Sequence, residues 1–328
     1  MILNAFSRIS VAAVLAIAPI AAQSPTQKPK RINRAIEMLE MGQPIYYATS
    51  RGGAGYDEGK KMASTQSDYI TYEMEHGSFD ISALRNFMRG LVDGGPTKTG
   101  HRTPAVIATL PVLGLDEPSM KANFWVVQQV LASGVHGILL CHARSPEAIR
   151  MFVEASRYPF AEKAAGLGEG LRGAGSESFA SQIWGLTTIE YLKKADTWPL
   201  NKNGEIMLGL KIEDKHALAN AEKTTKIPGI AFAEWGPTDM GFSLVGIPEN
   251  RGRTPASGTF PTGEAPLNYP RVMLDARARV LKATKASNIF FLNSATDSEV
   301  IGQIKEGVMI LTGGYNVGRP FTKNPWTY

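Results

Sequence analysis

Eight short apolar runs, most separated by a stretch of helical spacing, do most to narrow what this 328-residue chain can fold into. They lie at 45–48 (IYYA), 69–72 (YITY), 105–110 (AVIATL), 137–141 (GILLC), 206–212 (IMLGLKI), 230–233, 289–292 and 308–311. Helical spacing recurs at 34–41, 81–92, 119–133 and 146–155. Continuous β-rich runs suit strands buried on both faces, which means parallel strands with covering helices. Eight such units in roughly 270 residues match the size of a (β/α)8 barrel. A doubly wound open sheet is the competing architecture, but no G-x-G-x-x-G follows the first run. The expectation is a single-domain α/β (β/α)8 TIM barrel.

Residues 1–22 read as something other than fold. Arg8 precedes an apolar stretch at 11–18 (VAAVLAIA), too short to span a bilayer, and Pro19 and Ala21-Ala22 follow. This is the pattern of a Sec-type signal peptide cut near Ala22, and no cysteine follows it to carry a lipid. The expected product is an exported soluble protein, periplasmic or secreted, without stable membrane insertion. Residues 23–41 then form a linker and an N-terminal helix, and 42–328 form the barrel. Two stretches, 160–181 and the Gly/Pro-rich insert at 246–268, read as irregular loops after strands, where barrel sites form, and as lids or subunit contacts. The stretch 166–175 (GLGEGLRGAG) lacks the Lys-Ser/Thr of a phosphate-binding loop.

Net charge is a mild +5, from 35 basic and 30 acidic residues, with no basic stripe. Lys28, Lys30, Arg31 and Arg34 read as a solvated linker, so no nucleic-acid partner is expected. The one cysteine, Cys141, excludes an internal disulfide and a cysteine-based zinc knuckle. Any metal chemistry is left to carboxylates and histidines.

Reactive groups of a parallel barrel sit at the C-terminal ends of strands. Three ends are polar: Glu73-Met74-Glu75-His76-Gly77, Lys211-Ile212-Glu213-Asp214, and Glu234-Trp235-Gly236-Pro237-Thr238-Asp239. Glu213 and Asp239 terminate neighbouring strands and can face one point, where mutual repulsion favours a hard divalent ion between them. The alternative is that each caps a following helix or pairs with a lysine. The Gly236-Pro237-Thr238 turn can aim successive N–H groups into the mouth as an anion cradle, or be only a turn. His76, beside Glu73 and Glu75, has the surroundings of a general base, though a lone strand-end histidine is commonly structural. His101, His136, His142 and His216 show no such context and are read as structural.

These residues carry a resemblance. Residues 69–85 (YITYEMEHGSFDISALR) resemble the D-x-E-H-G-P-x-D region of the HpcH/HpaI aldolase/citrate lyase family. Residues 211–246 resemble its Q-I-E-T … I-G-P-x-D-L-x-x-S-L-G signature, with Glu213 and Asp239 at the spacing of its metal carboxylates. Residues 147–159 resemble the helix and R-Y-P-P after its fourth strand. The resemblance covers roughly residues 42–314 and implies a TIM barrel using Mg2+, Mn2+ or a similar ion, Co2+ included. It further implies cleavage or formation of a carbon–carbon bond of a 2-keto-4-hydroxy acid through a pyruvate enolate, with a 2-keto acid and an aldehyde as partners. By position, Glu213 and Asp239 would ligate the metal, and the Gly236, Pro237, Thr238 turn would hold the keto-acid carboxylate. His76 with Glu73 would handle the proton. Family members commonly form hexamers, so a homo-oligomer, trimer or hexamer, is expected.

Three departures qualify the resemblance. Thr109 stands where the family's catalytic arginine follows the third strand. Lys211 replaces a glutamine two residues before Glu213, on the same barrel-facing side, and is the first candidate to restore the lost positive charge. Arg51 and Arg102 are further candidates, with His101 behind them. Glu73 stands where aspartate is usual. Two alternative functions remain open: an exported lyase with a different reaction, on an aromatic compound for example, and a non-catalytic barrel that binds a keto acid or metal.

Overall fold

The computed structural model describes residues 30–247 and 269–324, and all eight apolar runs are strands of one parallel sheet. They are β1 (Ile45–Arg51), β2 (Tyr69–Glu73), β3 (Ala105–Leu113), β4 (Gly137–Cys141), β6 (Ile206–Ile212), β7 (Phe232–Trp235), β8 (Phe290–Ser294) and β9 (Val308–Thr312), with a two-residue β5 (Thr197–Trp198) beside the start of β6. Pairing runs from β4 through β3, β2, β1, β9, β8 and β7 to β6, and a β4–β6 ladder closes the circle. The result is a closed barrel of eight parallel strands, with β5 as an appendage the periodicity did not show.

Strand alternation sorts the side chains into two cores. Ile70, Tyr72, Val106, Ile138, Leu208 and Leu210 point outward into the layer of helices. Tyr69, Ile107, Leu139, Met207, Phe232 and Ile310 point inward. Gly209 belongs to the inner wall, and a Cβ there would lie 2.2 Å from Cζ of Phe232, its register partner. The Phe232 ring therefore fills the space that a larger residue at 209 would need.

A short helix, α1 (Arg34–Glu40), seals the N-terminal end. Asn33 caps it, its side chain accepting from the N–H groups of Ala35 and Ile36. The same amide donates to the carbonyls of His136 and Glu205, tying the cap to the strand entrances. Ala35, Ile36, Met38 and Leu39 are buried against the inner core. Beside this plug, the buried Asp68 accepts from Arg34 Nε (2.9 Å), Arg319 Nη2 (2.9 Å) and the Tyr46 N–H (2.8 Å). One carboxylate thus joins the first helix, the first strand and the last helix, α2 (Tyr315–Phe321).

The segment 160–181 departs from its expected place. It follows the helix Pro146–Ser156 rather than a strand, and it is helical from Glu177 onward. Leu171 and Arg172 hydrogen-bond back to Glu154 and Arg157, and the Arg172 guanidinium lies 4.3 Å from the Tyr158 ring centre. The segment packs on the outer helices, away from the C-terminal mouth. The expected signal peptide at 1–22 and all but the first two residues of the insert at 246–268 lie outside the described residues. Among the described residues, no helix is long and apolar enough to cross a membrane.

His136 is buried at the entrance to β4, stacked on Trp184 at 5.4 Å, and its Nδ1 accepts from the Val106 N–H. Burial pushes its pKa down to about 3. Between that value and about 6.5 the unfolded chain binds a proton that the native ring refuses. Stability should therefore fall as pH drops below about 6.5, by about 1.4 kcal/mol per pH unit from this residue. His136→Asn keeps an acceptor for Val106, and urea unfolding at pH 7 and pH 5 should show it losing about one proton's worth of that slope.

Candidate active site at the barrel mouth

The inward rows of neighbouring strands reach the C-terminal mouth in register. Arg51 pairs with Glu73, Glu73 with Thr109, and Lys211 with Glu234. Just beyond the strand ends lie Glu75, His142 and Glu213. The mouth is thus a ring of carboxylates around one half-buried lysine.

Lys211 Nζ is 2.7 Å from Glu75 Oε2 and 3.4 Å from Glu213 Oε2. Glu213 Oε1 accepts the His142 N–H at 3.0 Å, whereas the buried Oε2 accepts no hydrogen bond. Burial, with repulsion from Glu75 and Glu234, outweighs Lys211 and raises the Glu213 carboxyl to about 7. Burial also raises Glu234. Glu75 shifts the other way, because Lys211 and a hydrogen bond with the Cys141 thiol together outweigh its burial. Burial would lower the Lys211 ammonium, but Glu234, Cys141, Glu213 and Glu75 hold its pKa above the ordinary lysine value. The lysine is charged and is no free-amine nucleophile.

His142, structural by its sequence context, instead lies at the carboxylate ring. It adopts φ 47°, a left-handed backbone in which a non-glycine residue is strained. Its Nδ1 lies 2.7 Å from Asp214 Oδ2, an oxygen that also accepts from Arg144 Nε at 2.8 Å. The other Asp214 oxygen caps the following helix through the N–H groups of His216 and Ala217. The imidazole is therefore fixed, with Nε2 turned inward, 3.8 Å from Glu75 Oε1 and 3.9 Å from Glu213 Oε1. Its pKa is raised, chiefly by the Asp214 hydrogen bond.

The residues singled out from sequence fall into three groups. Lys211 and Glu213 meet directly. Glu73 Oε1 accepts from the N–H groups of Glu75 and His76 (2.7 and 3.1 Å) and from the Thr109 hydroxyl (3.2 Å), which shapes the turn. His76 is exposed at the rim, its ring Nδ1 3.9 Å from Glu73 Oε1 and 3.8 Å from Glu75 Oε2, and the imidazole makes no hydrogen bond to either. Gly236 caps the helix Pro237–Leu244, whose first turn holds Pro237, Thr238 and the half-buried Asp239. N–H groups of a first turn lack intrahelical acceptors, as an anion cradle requires. Two candidates for the missing arginine's charge are excluded by position. Arg102 donates to the Ile183 carbonyl (3.0 Å), and His101 Nε2 lies 3.2 Å from Glu37 Oε2, both at the sealed end.

Sequence reasoning passed over His142, Asp214 and Cys141. The alternation of β4 was the available signal, since Gly137, Leu139 and Cys141 share the inward row and the next residue turns over the mouth. Two clusters bring three ligand-type atoms within 4.8 Å of one another among the described residues: Glu73, Glu75 and His76, and Glu75, Cys141 and Glu213. Asp239 is in neither, and its charge adds to the burial that raises Glu234.

The donor set fits a divalent cation. Glu75, Glu213 and Glu234 crowd one lysine, and Glu213 keeps a buried oxygen without a donor. Gly236 lies against that oxygen, where a Cβ would approach Oε2 and Cβ of Glu213 to 2.7 Å. Gly236→Ala should therefore push the Glu213 side chain aside and weaken Mn2+ binding by about tenfold or more, read by calorimetry, and should also lower the unfolding midpoint, because the new methyl meets the buried Glu213 Cβ as well as its carboxylate.

The comparisons agree with this architecture. No protein-family model matches the chain. It is 32% identical over 204 residues to a 2-keto-3-deoxy-L-rhamnonate aldolase of Salmonella gallinarum, a match covering 60% of this chain and 68% of that protein. It is 28% identical over 169 residues to a hydroxypyruvate/pyruvate aldolase of Deinococcus radiodurans, covering half of this chain and 55% of that protein. The fold is shared with a HpcH/HpaI aldolase/citrate lyase family protein of Burkholderia cenocepacia (TM-score 0.60, 18% identity, 86% of this chain and 92% of that one). It is shared also with a HpcH/HpaI aldolase of Desulfitobacterium hafniense (TM-score 0.60, 16% identity, 88% and 94%).

Proposed function

Because this chain belongs to the HpcH/HpaI aldolase/citrate lyase family, we propose that it is a divalent-metal-dependent carbon–carbon lyase of the class II pyruvate aldolase type. Its substrate class is a 2-keto-4-hydroxy acid, cleaved to or formed from a 2-keto acid and an aldehyde. The reading rests on one observation above others: the buried Glu213 Oε2, without a hydrogen-bond donor, at the C-terminal end of the barrel.

Glu213 would hold the ion, with Asp239 the second ligand implied by sequence position and Mg2+ or Mn2+ the favoured ions. When bound, the ion supplies Lewis acidity that stabilises negative charge developing on the keto oxygen. The turn at Gly236, Pro237 and Thr238, at the N-terminal end of the helix Pro237–Leu244, would receive the substrate carboxylate, as the sequence resemblance implies. Lys211 supplies a positive charge within the carboxylate ring and would stand in for the arginine that Thr109 replaces. His142, oriented by Asp214, points Nε2 toward the same space and is better ordered for proton transfer than the exposed His76.

Thr109 favours a second reading, a lyase of the same family with a different reaction. Its hydroxyl donates to Glu73 and brings no charge to that wall. In either case we propose an exported homo-oligomer, on the signal-like residues 1–22 and on the family's habit. Exchange of pyruvate methyl protons in deuterated water, with Mn2+ and with EDTA, tests the main reading without an acceptor aldehyde. Metal-dependent exchange is expected, and absence of exchange with every divalent ion would remove the proposal.

A further inference from the structure

Three strand ends bring Glu75, Cys141 and Glu213 together so that one ligand atom of each lies within 4.8 Å of the others. This set differs from the Glu213–Asp239 pair, because it includes sulfur. Cys141 is fully buried on the inward row of β4, and its thiol hydrogen-bonds with Glu75. A second observation points to a ligand: the Glu213 side chain is fully buried, and its Oε2, 3.4 Å from the Lys211 ammonium, has no hydrogen-bond partner. The cation that balances the set is the Lys211 ammonium, 2.7 Å from Glu75 Oε2 and 3.4 Å from Glu213 Oε2.

We infer that Glu75, Cys141 and Glu213 form a site for a borderline, thiophilic divalent ion such as Zn2+ or Co2+, with the Lys211 ammonium as its built-in competitor. Thiolate ligation favours such ions over Mg2+, which prefers oxygen donors throughout. His142 Nε2, 3.8 and 3.9 Å from the Glu75 and Glu213 Oε1 atoms, supplies a nitrogen donor at the rim, consistent with the same choice. Binding converts the thiol to a thiolate, and the proton leaves to solvent. Two positive charges cannot share this space cheaply, so the ion enters as Lys211 swings out. The inference rests on the metal-dependent reading and adds which ion, and which ligand besides the carboxylates.

Titration of the full chain with Co2+, followed by absorption and calorimetry, tests it. A thiolate-to-cobalt charge-transfer band in the near ultraviolet is expected, with Co2+ bound more tightly than Mg2+. Cys141→Ser should abolish the band and weaken Co2+ about tenfold while leaving Mg2+ unchanged, and Lys211→Gln should tighten Co2+ about tenfold. Circular dichroism checks that each variant is folded, and the Lys211 variant leaves Cys141 intact should the serine variant fail to fold. Co2+ binding without the band overturns this inference and leaves metal dependence standing. Failure of Co2+, Mn2+ and Mg2+ to bind either the natural chain or Lys211→Gln overturns both.

Discussion

Glu213→Gln is expected to slow metal-dependent exchange of pyruvate methyl protons by a factor on the order of a thousand, the upper range for removing one electrostatic contact to a transition state. The substitution is nearly isosteric and keeps an oxygen to accept the His142 N–H, which now reaches Oε1 at 3.0 Å. What it removes is the negative charge beside Lys211. Because burial and like charges have already raised that carboxyl to about 7, the folded chain loses little by its neutralisation. Thermal unfolding should therefore be unchanged or slightly higher, while the metal content after dialysis falls. A variant that retains both metal and exchange would show that Glu213 is a structural acid.

The largest effect on stability is expected at the opposite end of the barrel. Asp68→Ala leaves the buried guanidinium groups of Arg34 and Arg319 without their shared carboxylate, and removes the acceptor of the Tyr46 N–H. Removing one partner of a buried ion pair costs about 3–5 kcal/mol, because the remaining charge has no compensation. Denaturant unfolding should show a loss of that size. Under folding conditions the same variant should keep metal affinity close to that of the natural chain, since Asp68 lies beneath the barrel and the ligands lie above it. A loss below about 1 kcal/mol would mean that water reaches the two arginines after the change.

The barrel was legible because its signal is periodic and redundant: eight inner strands, each apolar over several residues. Chain order alone then placed Glu73, Lys211, Glu213 and Gly236 at the C-terminal mouth. Less legible were contacts that depend on rotamer and on the exact turn after a strand. Nothing in the string Cys141-His142-Ala143-Arg144 shows that His142 will take a left-handed backbone and reach Asp214, 72 positions away. The misplacement of 160–181 has a different cause. Its glycines announced a loop correctly, but which end of the barrel it serves depends on whether a helix or a strand precedes it. Arg102 and His101 fail as charge donors for the same reason, since they precede β3 and lie at its entrance.

The plug formed by α1 has a consequence for handling the molecule. Its apolar face stoppers the floor, packed against the inner core at the end opposite the carboxylate ring. Arg31, just upstream, is held to the carbonyls of Lys202 and Gly204 on the underside. A surface attachment or fusion partner joined ahead of Arg31 would therefore leave the protein from the end of the barrel opposite the carboxylate ring.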